Sequence, residues 1–417
     1  MQSQNDTKTM LEQFKKEPAD HSVRGAIRGS ILDLVMRNGS FTASEIADST
    51  GYSLTTVAKY VSELQEEGVI SEKERVNLHS KGRRTVRYGV EFDSYYFLGI
   101  DMRNFALNIA LSDFSGNIVK MERHSDFRFE NSYETLDGLC EKVTSFIGSL
   151  EESQRAGLAG ANLNIPGRVD SRSGTSSTMF HFEDMGDCPL AEHLSSRFGV
   201  KTFIENDTKA MAFGEYMTSM NKEYKDVLFV NISWGLGLGI ILDGKLYYGK
   251  NGFSGEFGHI NMYNNNVLCH CGKKGCIETE VSVRAIHRKL MERIRNGESS
   301  ILSPMVEQRK DVTSKDILEA AANEDPLCIE LINRTGVELG RHLAGLINLL
   351  NPEAIILGGT LSQAKSYDFL QPVEWAIRKY SLRLMSQNVR VTTSTLGNKA
   401  GVVGACLLAR RRVFGEI

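Results

Sequence analysis

Apolar positions along the chain fall into two textures. In the first, from His21 to about Phe92, they recur at helical spacing in short bursts. Ile27, Ile31, Leu32, Leu34 and Val35 put apolar side chains on one helical face. Thr42 precedes a second short helix with Ile46 inward, and Glu45 follows Thr42 at the three-residue spacing of a capping box. Gly51 breaks that helix. Ser53 can cap a third, running to about Glu67, with Val57, Val61 and Leu64 as its buried stripe. Gly68 ends it, and Val69-Ile70, a polar turn and a second extended run from Thr85 to Val90 follow. The prediction is three helices and a hairpin, preceded by a flexible arm over residues 1–20.

The second texture begins near Tyr95, where short apolar strands alternate with helices to the C-terminus. Expected strands are Tyr96–Ile100, Ala106–Leu111, Leu158–Asn164, Val227–Ile232, Leu238–Leu242, Ala354–Leu357 and Val389–Thr393. Expected helices are Tyr133–Leu150, Asp207–Met217, Val281–Asn296, Ser314–Asn323, Leu327–Leu350, Phe369–Tyr380 and Gly401–Arg412. About 320 residues of this kind exceed one layered sandwich, so two α/β lobes with a cleft between them are expected. The first lobe takes about 93–205 with a C-terminal helix at 400–417, and the second about 206–399. No short-period repeat or low-complexity tract is visible.

Composition narrows the class. The 417 residues are 41% hydrophobic and 24% charged, as in a globular protein rather than a disordered one. With 49 basic and 52 acidic residues the net charge is −3, which excludes a globally basic nucleic-acid coat but not a local patch. No run reaches the roughly 18 apolar residues of a membrane span. The polar N-terminus lacks the apolar stretch of a secretory signal, so a cytoplasmic protein is expected.

The local patch lies on the hairpin. Lys73, Arg75, Lys81, Arg83, Arg84 and Arg87 stand against one acid, Glu74, so 6 − 1 gives +5 within 15 residues. Three helices and a charged hairpin form the layout of a winged helix-turn-helix over residues 21–92. A recognition helix offers short polar or basic side chains to base edges in the major groove. Ser53, Thr55, Thr56, Lys59 and Tyr60 are assigned to that face, opposite Val57, Val61 and Leu64. The patch supplies phosphate neutralisation, and Lys81, Arg83 and Arg84 at the tip suit a minor groove. The expected partner is double-stranded operator DNA, read by a homo-oligomer, dimer or tetramer, because paired half-sites give specificity that one short helix lacks.

Three of the seven cysteines, Cys269, Cys271 and Cys276, lie within eight positions, with His259 ten residues before the first. Three Cys and one His make a closed tetrahedral Zn²⁺ set, structural because no position is left for water. Gly272 and Gly275 let the loop curl so that all three sulfurs face one point. His270, between two cysteines, is an alternative fourth ligand, but alternation would point it away from the metal.

Two longer motifs carry a family resemblance. Gly252-x-x-Gly255-Glu256-Phe257-Gly258-His259, followed by Cys269-His270-Cys271-Gly272-x-x-Gly275-Cys276-x-Glu278, resembles the signature of the ROK family of repressors, open reading frames and sugar kinases. Ile165-Pro166-Gly167 resembles the family's sugar-side loop, and Glu205-Asn206-Asp207 its central carboxylate motif. Gly235, Gly237 and Gly239 resemble its second phosphate loop, and Gly358-Gly359 its adenosine-side glycines. The resemblance covers about residues 93–417. It implies the two-lobed, actin-like (ribonuclease-H-like) ATPase fold. Members with an N-terminal winged helix resemble the xylose and N-acetylglucosamine repressors. It places sugar contacts at Asn206, Asp207, Glu256, His259 and Glu278, side chains that exchange hydrogen bonds with vicinal hydroxyls.

The kinase branch of the family needs Asp207 as general base, and Asp207 is present. It also needs a first phosphate loop of the form Asp-x-Gly-Gly-Thr. Here that stretch reads Asp101-Met102-Arg103-Asn104-Phe105, so both glycines and the threonine are lost between Met102 and Phe105. Phosphoryl transfer is mostly positioning and charge stabilisation, so the expectation is a regulator without kinase turnover, its remaining glycine loops vestigial. Arg103 could still hold an anion, which leaves a monosaccharide or a sugar phosphate as the effector. The alternative is a sugar kinase carrying an extra DNA-binding domain.

Overall fold

A computed structural model of the chain describes residues 23–76, 85–180, 188–219 and 223–414. The N-terminal arm and Lys81, Arg83 and Arg84 of the hairpin lie outside these residues.

The first element is the helix Val23–Asn38, then Ala43–Thr50 and Leu54–Glu66. Thr42 and Glu45 form a reciprocal capping box, with Glu45 N–H donating to Thr42 Oγ1 at 3.2 Å and Thr42 N–H to Glu45 Oε2 at 2.8 Å. Ser53 caps the third helix by accepting from Thr56 N–H at 3.1 Å. Strands Ile70–Val76 and Thr85–Val90 pair antiparallel, and the short strand Phe41–Thr42 adds to the outer edge of the latter. Ile31, Leu32, Ile46, Val57 and Leu64 are fully buried at the centre. Each such side chain is worth about 1.5–3 kcal/mol. Arg28, 7% exposed, reaches Glu67 with both guanidinium nitrogens and so clamps the first helix to the end of the third. The same apolar cluster runs on into Tyr95, Phe97, Phe114 and Phe414 of the body. Tyr95 and Phe114 each meet Phe414 with ring centroids 5.3 and 5.1 Å apart.

Two compact units divide the chain: Met1–Glu205 with Val402–Ile417, and Asn206–Gly401. Each contains a five-stranded mixed sheet of the same topology. In the first, Tyr96–Arg103, Ala106–Ser112 and Ile118–His124 form an antiparallel meander, Leu158–Ile165 lies parallel beside the first of these, and Thr202–Asn206 completes the order. In the second, Val227–Ile232, Leu236–Leu242 and Lys245–Leu246 form the meander. Ala354–Gly358 and Arg390–Thr393 extend it in parallel. Numbered along the chain, both read 3-2-1-4-5, the ribonuclease-H-like order that the motifs imply. Val227–Ile232 is buried at every position, as a central strand covered on both faces must be.

Sequence patterning missed Ile118–His124, an edge strand whose apolar residues alternate with Lys120, Glu122 and His124, and also Thr202–Asn206 and the helix Leu190–Phe198. Thr202–Asn206 carries Glu205, which is fully buried and pairs with Arg412 at 2.6 Å. Arg412 also donates to the carbonyls of Ser171 and Ile204 at 3.1 and 3.2 Å. Glu205→Ala leaves that guanidinium without its counter-charge and is expected to cost about 3–5 kcal/mol. Urea unfolding of the variant measures this, and a midpoint equal to wild type would refute it. Among the described residues no helix is long and apolar enough to cross a membrane.

Candidate functional site

Four ligand atoms converge in the second unit. One atom each from His259, Cys269, Cys271 and Cys276 lies within 4.8 Å of all the others. Cys271 Sγ and Cys276 Sγ are 3.7 Å apart, and Cys269 Sγ lies 3.5 Å from His259 Nδ1. A tetrahedral ion with metal–sulfur bonds of about 2.3 Å requires sulfur–sulfur edges of about 3.8 Å, so the donor set fits a metal. The loop is built for this. Cys269 N–H donates to Lys273 C=O at 2.8 Å and Gly272 N–H to Cys269 C=O at 3.0 Å, forming a tight knuckle. Gly275, at φ +75°, passes so close to Tyr263 that a Cβ would sit 2.1 Å from its carbonyl oxygen. Without an ion, burial pushes the Cys269 thiol up to about 12. Burial also raises Cys276, with Cys271 adding to it. Burial acts on Cys271 too, but hydrogen bonds from Lys273 N–H and the neighbouring thiols hold it below the ordinary thiol range. A cation would reverse the first two shifts, since it favours thiolate.

The carboxylates gather on the same histidine. Glu256 Oε2 is 3.7 Å from His259 Nε2, so one ring faces the cysteines through Nδ1 and a carboxylate through Nε2. Glu278 is 5% exposed. Its Oε2 accepts from Leu236 N–H at 3.0 Å, and its Oε1 lies 2.6 Å from His270 Nδ1. Burial pushes Glu278 up, but His270 and the Leu236 amide outweigh it and the carboxyl stays low. The hydrogen bond to Glu278 raises His270 in turn. His270 therefore does not point away, as strand-like alternation suggested. The knuckle is a turn, and the ring folds back edge-on to His259, centroids 4.9 Å apart.

Asn206 caps the helix Asp207–Thr218 by accepting from Lys209 N–H at 3.0 Å, and Asp207 Oδ1 accepts from Thr208 N–H at 2.7 Å. The start of the Asp207–Thr218 helix and the Glu278 carboxylate both pack against one strand. Strand Leu236–Leu242 links them: a Cβ at Gly235 would meet Glu278 Oε2 at 2.8 Å, and one at Gly237 would meet Thr208 Oγ1 at 2.3 Å. Gly239 packs on Ala212 and Gly358 on the Phe229 ring in the same way. Each of these close contacts excludes a side chain at its glycine. Gly359 adopts φ +82° against Asn231 and Ser233. Half-buried Trp234, next to the loop, packs on the core and lies 5.6 Å from the His287 ring.

In the first unit Arg103 Nε bonds Asp101 Oδ2 at 2.8 Å, and Asp101 is 1% exposed. Arg103 thus spends its Nε on a buried carboxylate.

On the third helix of the winged unit, Thr55 and Lys59 are exposed and Thr56 half-buried. Ser53, also exposed, spends its hydroxyl on the cap. Tyr60 does not belong with them. It is 9% exposed and packs in the core, because it falls three residues after Val57 and four before Leu64, on the apolar stripe. The solvent face instead carries Leu54, Ala58 and Ser62, whose four-residue spacing could have revealed them. Arg87 donates to Ser40 C=O at 3.1 Å and pairs with Glu45 at 3.2 Å, a structural use of a charge counted for DNA. Lys73 pairs with Glu91 and Arg75 with Glu72, so nearby acids offset part of the patch.

The ROK family profile matches residues 97–412, and the chain belongs to that family. A winged helix-turn-helix DNA-binding profile matches residues 26–71. The transcriptional dual regulator NagC of Escherichia coli K12 is 29% identical over 389 residues, 93% of each chain. A crystal structure of a ROK family transcriptional regulator, a homologue of the E. coli Mlc protein, matches with TM-score 0.81 and 27% identity over 95% of this chain and 97% of that one. A ROK glucokinase from Streptomyces griseus, solved with glucose and AMPPNP, matches with TM-score 0.65 and 27% identity over 76% of this chain and 99% of that one.

Proposed function

We propose that this chain is a sugar-responsive transcriptional repressor. The winged helix holds operator DNA through Ser53, Thr55, Thr56 and Lys59, with Lys81, Arg83 and Arg84 on the wing. A monosaccharide or sugar phosphate binds at Asn206, Asp207, Glu256, His259 and Glu278. Zn²⁺ is held by His259, Cys269, Cys271 and Cys276 and is structural, since four protein donors leave no position for water. The observation that carries the reading is the double use of His259, whose Nδ1 lies 3.5 Å from Cys269 Sγ and whose Nε2 lies 3.7 Å from Glu256. A ligating imidazole bound through one nitrogen offers its other N–H to a second partner, here a carboxylate or a sugar hydroxyl. The metal thereby fixes the group that meets the effector.

Repression by a cytoplasmic homodimer completes the proposal. Exposed Leu349, Trp375, Leu382 and Leu384 near the end of the Pro326–Leu350 helix supply apolar surface for it. Sugar must bind the DNA-free and DNA-bound states with different affinity, typically by about 1–3 kcal/mol, to shift the equilibrium. The test is a thermal-shift screen over xylose, glucose, N-acetylglucosamine and their phosphates, paired with operator binding. A ligand that binds only the folded chain adds about 2.7 kcal/mol at a hundred times its dissociation constant, a rise of several degrees. No shift with any of them would end this reading.

Retained Asp207, at the start of its helix, favours a second reading as an ATP-dependent sugar kinase. A coupled assay with ATP and the same sugars separates the two. Turnover at about 1–100 s⁻¹ would favour the kinase.

A further inference from the structure

We infer that His270 is a positioning residue for the effector site, holding the Glu278 carboxylate in the orientation that receives sugar hydroxyls; this rests on the reading of Glu278 as a sugar contact. Glu278 is gripped from two sides. Leu236 N–H donates to Oε2 at 3.0 Å, and His270 Nδ1 lies 2.6 Å from Oε1. The bare backbone of Gly235 admits Oε2, since a Cβ there would stand 2.8 Å away. Each carboxylate oxygen has room for two hydrogen bonds, so one protein donor apiece fixes the group and leaves acceptor capacity for two neighbouring hydroxyls. On the other side of Oε1 stands Cys269 Sγ, 3.7 Å away. Once that sulfur is a metal-bound thiolate it repels the carboxylate. His270 is the N–H donor that holds this oxygen against that repulsion, 3.9 Å from the sulfur, with its ring set edge-on to His259. It therefore couples the cysteine knuckle to the orientation of Glu278 without being needed as a metal ligand, because His259 and the three cysteines already supply four donors.

His270→Ala and His270→Asn test this in the zinc-loaded, full-length protein. The Asn side-chain nitrogen occupies nearly the place of histidine Nδ1 and keeps the bond to Oε1. Calorimetric titration with glucose, N-acetylglucosamine and xylose identifies the tightest wild-type binder, which then serves as the probe. His270→Ala is expected to weaken that probe about tenfold or more, as for loss of a hydrogen bond to a charged group. His270→Asn is expected to return to within about threefold of wild type. Both variants should retain one zinc per chain. Wild-type affinity in His270→Ala, no recovery in His270→Asn, or loss of zinc from either would overturn the inference. If the wild-type protein binds none of the three sugars, their phosphates serve as probes; binding of neither set would end the reading of Glu278 as a sugar contact and take this one with it.

Discussion

Replacing Cys269 and Cys271 together by Ser is expected to strip the metal from the protein and abolish its response to sugar, while leaving the DNA-contacting face of the winged helix in place. The serine hydroxyl stays protonated at neutral pH and cannot replace a thiolate, so two of four donors are lost. Metal affinity should fall by about a thousandfold or more, given that a structural zinc contributes an apparent 10–16 kcal/mol. The loop would retain its outer tether, the Tyr263 hydroxyl donating to Glu338 at 2.7 Å beside His342 at 2.8 Å on the long helix. It would lose the inner one, so His259 and Glu278 would no longer be held against each other. Elemental analysis should find no stoichiometric zinc, and monosaccharides should no longer raise the melting temperature. Sequence-independent DNA binding, which depends on phosphate contacts by the winged unit, should persist with its salt dependence unchanged. A variant that keeps one zinc per chain, or that represses and responds normally, would remove the metal from the mechanism.

That the His259–Cys269–Cys271–Cys276 cluster was legible in sequence follows from its locality: three sulfurs within eight positions leave a short loop few ways to fold. Locality also explains the capping pair Thr42–Glu45 and the central strand Val227–Ile232, whose apolar run needs no distant partner to be recognised. The misses share the opposite cause. Glu205 lies in a short strand whose buried charge makes sense only when Arg412, 207 positions away, is seen to neutralise it. Ile118–His124 carries charges because it is an edge, and edges are defined by what fails to pair. Tyr60 is a different failure, since its spacing from Val57 and Leu64, present in the sequence, puts its ring on the apolar stripe and not on the opposite face. His270 shows that alternation is a rule for strands, and a knuckle closed by a Gly272–Cys269 hydrogen bond does not obey it. The repeated 3-2-1-4-5 sheet was legible only through the family motifs, because the two units share strand order rather than residues.

Gly255→Ala is expected to do more damage than its single added methyl suggests. Gly255 sits at φ +84°, a left-handed conformation that costs an L-residue about 1–2 kcal/mol. Its missing Cβ would also lie 1.9 Å from the Leu238 carbonyl oxygen, which is backbone in a paired strand and cannot swing aside. Overpacking of that kind adds about 1–3 kcal/mol, for a total of about 2–5 kcal/mol if the local fold holds. A Cβ at Gly258 would likewise stand 2.3 Å from the Leu236 carbonyl oxygen, so the segment between the two glycines lies close against that strand. That segment carries Glu256 and delivers His259, and Lys209 Nζ fastens its approach by donating to Ser254 C=O at 2.9 Å. Lifting it by even an ångström moves both side chains away from the cysteines and from Glu278. The expected result is therefore a lower melting temperature together with weakened zinc retention and lost sugar affinity. Differential scanning calorimetry with and without chelator reads the first two, and calorimetric titration reads the third. If Gly255→Ala melted and bound sugar as wild type does, the close approach of this segment to the strand would not be what positions Glu256 and His259.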